Sequence, residues 1–112
     1  MFEIFKSSVE YTKLGNALDK AFSNGMALMV QVERSPEKLH SKSLLIAHCH
    51  FVRTEIYQRI DVNKWPLDRK IICLKIKVGR VTLAEAYQAI LTQVFIMANN
   101  IGCTDEVSAI LE

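Results

Sequence analysis

Ile71–Val78 reads IICLKIKV, and the conformation assigned to this stretch sets the fold class. As a strand it places Ile72, Leu74, Ile76 and Val78 on one face, with Lys75 and Lys77 opposite. As a helix it aligns Leu67, Ile71, Leu74 and Val78 at four-three-four spacing and leaves Ile72 and Ile76 on the other side. Gly79 can end either element. Met26–Arg34, MALMVQVER, poses the same question. Met26, Leu28, Val30 and Val32 alternate as in a strand and are partly β-branched, but two turns of helix also fit. With MFEIFK (residues 1–6) as a further small strand, two strands here would give the order β-α-β-α-β-α, and two helices a bundle.

The flanking segments favour the bundle. Ser35-Pro36-Glu37 is a helix start, with Ser as N-cap and Pro in the first turn. From Leu39 the residues Ile46, Cys49, Val52, Arg53, Ile56, Tyr57 and Ile60 track one face, so a helix is expected from Pro36 to about Ile60. A further helix is expected over Val81–Ile101. These helices run to roughly 37 and 28 Å, long for a three-strand sheet to cover but natural in a bundle. There is also no Gly-rich strand-to-helix turn of the kind α/β ligand sites use. The expected fold is therefore all-α, a compact bundle of five to six helices in one domain, residues 1–112. The alternative is a small α/β protein with strands at 26–33 and 71–78.

The Val81–Ile101 segment, VTLAEAYQAILTQVFIMANNI, is the centre of this arrangement. Thr82 can cap its start, with Glu85 at capping-box spacing, and Gly102 is a natural left-handed stop. Leu83, Ala86, Tyr87, Ile90, Leu91, Val94, Met97, Ala98 and Ile101 recur at helical steps. Glu85 is its only charged residue. Phe95 and Ile96 occupy positions where a surface helix carries Lys or Glu, so they are expected to pack against the short C-terminal helix or a second subunit. Elsewhere, an amphipathic first helix is expected from Ser7 or Ser8 to an Asn24-Gly25 stop, burying Val9, Leu14, Ala17, Leu18, Ala21 and Phe22. Thr104 is expected to cap a last helix, Asp105–Leu111, with acidic residues in its first turn. Asp61–Asp68 reads as a loop, with Pro66 forcing Trp65 out of helical geometry.

Composition narrows the function. Half of the 112 residues are hydrophobic and 23% are charged, which argues against disorder. MFEIFK at the N-terminus lacks the basic and apolar regions of a secretory signal, and no segment reads as membrane-spanning, so a cytoplasmic protein is expected. Cys49, Cys73 and Cys103 are odd in number and form no CxxC pair, which suggests reduced thiols buried as small hydrophobes. The net charge of +2 conceals an asymmetry. Residues 64–80 carry six basic side chains (Lys64, Arg69, Lys70, Lys75, Lys77, Arg80) against Asp68, whereas residues 81–112 carry four acidic and no basic ones.

The enzyme signatures GxGxxG, the Walker loop, HExxH and GxSxG are absent, and so are ExxE carboxylate pairs. His48-Cys49-His50 is a weak metal candidate. On a strand His48 and His50 could share an ion, but on a helix they diverge by about 200°, and the expectation is surface histidines flanking a buried Cys49. No cofactor or metal is expected. Two functional readings remain. The first is a non-enzymatic helical protein-interaction module, of adaptor, chaperone or inhibitor type, homodimeric through the 83–101 helix. Its interface would include Tyr87, Leu91, Phe95, Ile96 and Trp65. The second is an accessory nucleic-acid-binding protein that contacts phosphates through the basic 64–80 segment.

Overall fold

The computed structural model describes residues 2–35, 37–58, 77–78 and 81–111. Among them are four α-helices: α1 (Phe2–Arg34), α2 (Lys38–Val52), α3 (Leu83–Ile101) and α4 (Thr104–Leu111). A π-helical turn, Arg53–Tyr57, extends α2, with the Gln58 amide bonded to the Arg53 carbonyl at 2.9 Å. Lys77–Val78 (β1) and Val81–Thr82 (β2) form a two-residue antiparallel ladder that pairs Lys77 with Thr82 and Val78 with Val81. The helical class matches the expectation, with four helices among the described residues rather than five to six. Residues 71–76 lie outside the described residues. Lys77 and Val78 are extended, not helical.

The largest departure from the sequence reading is α1. It neither stops at Asn24-Gly25 nor gives way to a strand at 26–33, but runs unbroken to Arg34. The reason is a continuous inward stripe at four-three spacing. Leu14, Leu18, Ala21, Gly25 and Leu28 are buried in turn, and Val32 is half-buried. The apparent alternation of Met26, Leu28, Val30 and Val32 arises from two helical stripes. Leu28 and Val32 face the core, whereas Met26 and Val30 follow Phe22 on the outer side, at four-residue steps.

Gly25 is in the helix for a packing reason. Its φ is not positive, unlike that of Gly102. A Cβ at Gly25 would collide with Gln93 Oε1 of α3 and stand 3.0 Å from Gln93 Cδ. Glycine weakens a helix interior by about 1 kcal/mol relative to alanine. Here it leaves bare backbone, against which the buried Gln93 lies, its Nε2 donating to the Phe22 carbonyl at 3.3 Å.

The caps of α3 follow the sequence signals. Thr82 is extended (φ −73°, ψ 159°) and its Oγ1 accepts from the Glu85 amide at 3.1 Å. Gly102 ends the helix in the left-handed region (φ 85°), where Cβ-bearing residues are strained. The Gly102 and Cys103 amides both donate to the Ala98 carbonyl, at 2.8 and 2.9 Å. The Cys103 carbonyl then accepts the Val107 amide at 3.1 Å, so α4 is entered one residue before the expected Thr104 cap. At the other long helix the start is later than expected. Ser35 Oγ accepts the Glu37 amide at 3.2 Å, and Glu37, not Ser35, is the N-cap of α2.

Leu45, Cys49, Val52 and Ile56 from α2 and its π turn meet Leu18 and Ala21 of α1 and Ile90, Val94 and Met97 of α3 in one core. Val107 and Leu111 of α4 close it. Two polar contacts hold α4 in place. Lys42 Nζ pairs with Glu106 Oε1 at 2.6 Å, and Arg53 Nη1 donates to the Ile110 carbonyl. Arg53, the one charge on the apolar face of α2, thus caps the C-terminus of the last helix, where a cation is favoured.

Gly25→Ala is expected to destabilise the protein. The gain of about 1 kcal/mol in helix propensity is smaller than the cost of about 1–3 kcal/mol of displacing a buried, hydrogen-bonded amide. In a Gln93→Ala background the same substitution should become neutral or stabilising. Urea unfolding of the two single variants and the double variant measures this, and additive effects would show that the two residues do not couple.

Candidate functional site

Two surface features carry functional potential. The first is the outer face of α3, where Gln88, Leu91, Thr92, Phe95, Ile96 and Asn99 line an open depression of about 470 Å³. None of these six side chains is charged. Helical spacing places them together, because 88, 91/92, 95/96 and 99 are successive turns of one side. Thr92 is turned back onto its own helix, its Oγ1 donating to the Gln88 carbonyl at 2.9 Å. Leu91 and Phe95 are half-buried against the core edge, while Ile96 is 46% exposed. Helix α4 therefore does not cover Ile96. Tyr87 is half-buried, and burial together with Tyr57 raises its hydroxyl above the ordinary 10.0. It belongs to the core margin and does not line the depression.

The second feature is a groove of about 440 Å³ between α1 and α2. Asn24, Ala27, Leu28 and Gln31 form one wall, and Leu44, Ala47, His48 and Phe51 the other. Lys20 stands at one end, with its ammonium 5.3 Å from the centre of the Phe51 ring. The sequence reading missed this groove, since it ended the first helix at Gly25 and so had no second wall.

His48 departs from the expectation of a surface histidine. It is 8% exposed, and its Nε2 is buried with no hydrogen-bond partner among the described residues. Burial holds its pKa below the ordinary 6.5. His50 is exposed on another side of α2, so helical geometry separates the two imidazoles as the spacing requires. Among the described residues no group of three His, Cys, Asp or Glu side chains is placed to hold a metal ion. Cys49 and Cys103 are buried, unbonded thiols. Burial and the neighbouring Cys103 push Cys49 up to about 12, and burial and Glu106 raise Cys103. Neither thiol is a thiolate nucleophile at neutral pH.

No family model, curated protein or solved structure matches this chain. Of the basic set, Lys64, Arg69, Lys70, Lys75 and Arg80 lie outside the described residues, as do Trp65 and Cys73. Lys77 is described through its backbone pairing alone. Among the described residues no helix is long and apolar enough to cross a membrane.

The buried imidazole sets an acid limit on stability. The folded-state pKa of His48 is lowered, so the unfolded chain binds the proton more readily. The contribution of neutral His48 is fully present above an unfolded pKa of about 6.5 and is lost as pH falls from there through the folded value. Urea midpoints measured at about pH 7.5 and about pH 5 should therefore separate more for the parent chain than for His48→Gln. Equal separation would show that His48 does not contribute.

Proposed function

We propose that this chain is a non-enzymatic protein-interaction module that pairs with a second copy of itself through the outer face of α3. The observation that carries this reading is the uncharged, largely apolar depression spanning Gln88 to Asn99, with Ile96 at 46% exposure. A solvated helix face of that length normally carries charged residues, and the cores of protein interfaces are depleted of them. An uncharged face also suits a twofold arrangement. Near the twofold axis a residue meets its own copy, so a charge there would face a like charge. The raised thiol pKa values and the unclustered histidines give no support to a catalytic reading.

Sedimentation equilibrium of the parent chain should give twice the monomer mass at micromolar concentration. Thr92→Lys combined with Ile96→Lys changes two exposed positions and should return the mass to that of a monomer. The circular dichroism spectrum and thermal midpoint should stay close to the parent values, since surface substitutions usually shift stability by less than about 0.5 kcal/mol. A parent chain that sediments as a monomer at every concentration overturns the pairing.

A further inference from the structure

We infer that the groove between α1 and α2 is a binding site for a small amphipathic monoanion, an apolar tail bearing one carboxylate. In this site Ala27 and Ala47 leave room for the tail and Lys20 receives the head. The site shares no residue with the outer face of α3, so it stands or falls separately from the pairing proposed above.

Packed helices normally close the space between their flanks by interdigitating side chains. Here the two facing flanks carry alanine at the middle of the groove, and both Ala27 and Ala47 are exposed. About 440 Å³ is left open beside these short side chains. That lies within the range of roughly 300–1,000 Å³ found for small-molecule sites. Leu28, Leu44 and Phe51 give the mixed lining its apolar part, which suits a hydrocarbon or aromatic tail. Lys20 and Gln31 mark the two ends of the α1 wall. They are separated by about 16 Å at 1.5 Å per residue, which is longer than an eight-carbon chain requires.

The polar groups select the head. Among the described residues Lys20 is the one charged side chain that lines the groove, and no carboxylate does. The field at that end therefore attracts an anion and repels a cation. The Asn24 carboxamide, one turn from Lys20 on the same wall, can donate to the same carboxylate. The lysine ammonium lies 5.3 Å from the centre of the Phe51 ring. His48 lines the groove between the two ends. It is 8% exposed, with an Nε2 that no described residue satisfies, so the groove combines an apolar lining with an unspent polar ring. An anion bound beside that ring favours its protonated form, which makes His48 an internal reporter.

The test uses the full chain, isotope-labelled for nuclear magnetic resonance and titrated in parallel with sodium octanoate and octylammonium chloride. Octanoate should produce saturable shifts at Ala27, Leu28, Ala47 and His48, and the His48 ring should titrate at higher pH in its presence. Octylammonium, with the same tail and the opposite head, should bind several-fold more weakly. Lys20→Gln should weaken octanoate roughly two- to five-fold, as loss of a partly exposed ion pair implies. It should also remove the preference between the two heads. Ala47→Phe fills the groove from an exposed helical position and should abolish saturable binding while leaving the circular dichroism spectrum unchanged. Linear, non-saturating shifts would overturn the site, as would equal affinity for both amphiphiles. Shifts confined to Gln88–Asn99 would assign tail binding to α3 instead, and persistence of binding in Ala47→Phe would exclude the groove.

Discussion

The seating of Gln93 against the bare backbone of Gly25 governs how α1 and α3 lie together. A side chain at residue 25 would push the Gln93 carboxamide out of its seat and away from the Phe22 carbonyl. With the contact made, the four-three stripe of α1 stays inward from Leu14 to Val32. The same helix then packs along α3 on one side and α2 on the other. The arrangement has a polar cost. Gln93 Nε2 finds the Phe22 carbonyl, but Oε1 is buried without a partner among the described residues. An amide in that position favours one register of α1 against α3, because sliding by a turn would leave both of its ends unsatisfied.

Polar groups at the other end of the molecule are better matched. Arg53 reaches the Ile110 carbonyl of α4 from the π-helical turn, and Lys42 meets Glu106 in the first turn of that helix. A helix of only eight residues is marginal by itself in water. Here its two ends are held by side chains of α2 and its turn, and Val107 and Leu111 are buried in the common core. His48 and Ser41, on the same element, carry buried polar atoms without a partner among the described residues. Of the two, His48 lines the groove between α1 and α2.

Much of the helical framework was legible in the residues. Thr82, Glu85 and Gly102 specify the ends of α3 through local geometry, since a cap needs only its own side chain and the next turn. The inward positions Ile90, Val94, Met97 and Ala98 follow from period alone. Gly25 was misread because the same residue type ends helices and permits their close approach, and only the second helix distinguishes the two. With Gly25 as a stop, Met26, Leu28, Val30 and Val32 have the alternation of a strand. The continued four-three spacing from Leu14 to Val32 was the signal that would have corrected it.

The candidate sites divide along the same line. Gln88, Leu91, Thr92, Phe95, Ile96 and Asn99 share one face of a helix, so their grouping is a property of sequence and helical period. That this face remains open depends on where α4 and α1 lie, and neighbours far apart in sequence set that. The α1–α2 groove has no local signature at all, since Ala27 and Ala47 come to line one groove only after the two helices pack. The burial of His48 has the same origin: its sequence neighbours place it on a helix, but the distance between two packed helices removes it from water. Periodicity and caps act within one turn of chain and are written in the residues; closeness between helices is a property of their packing.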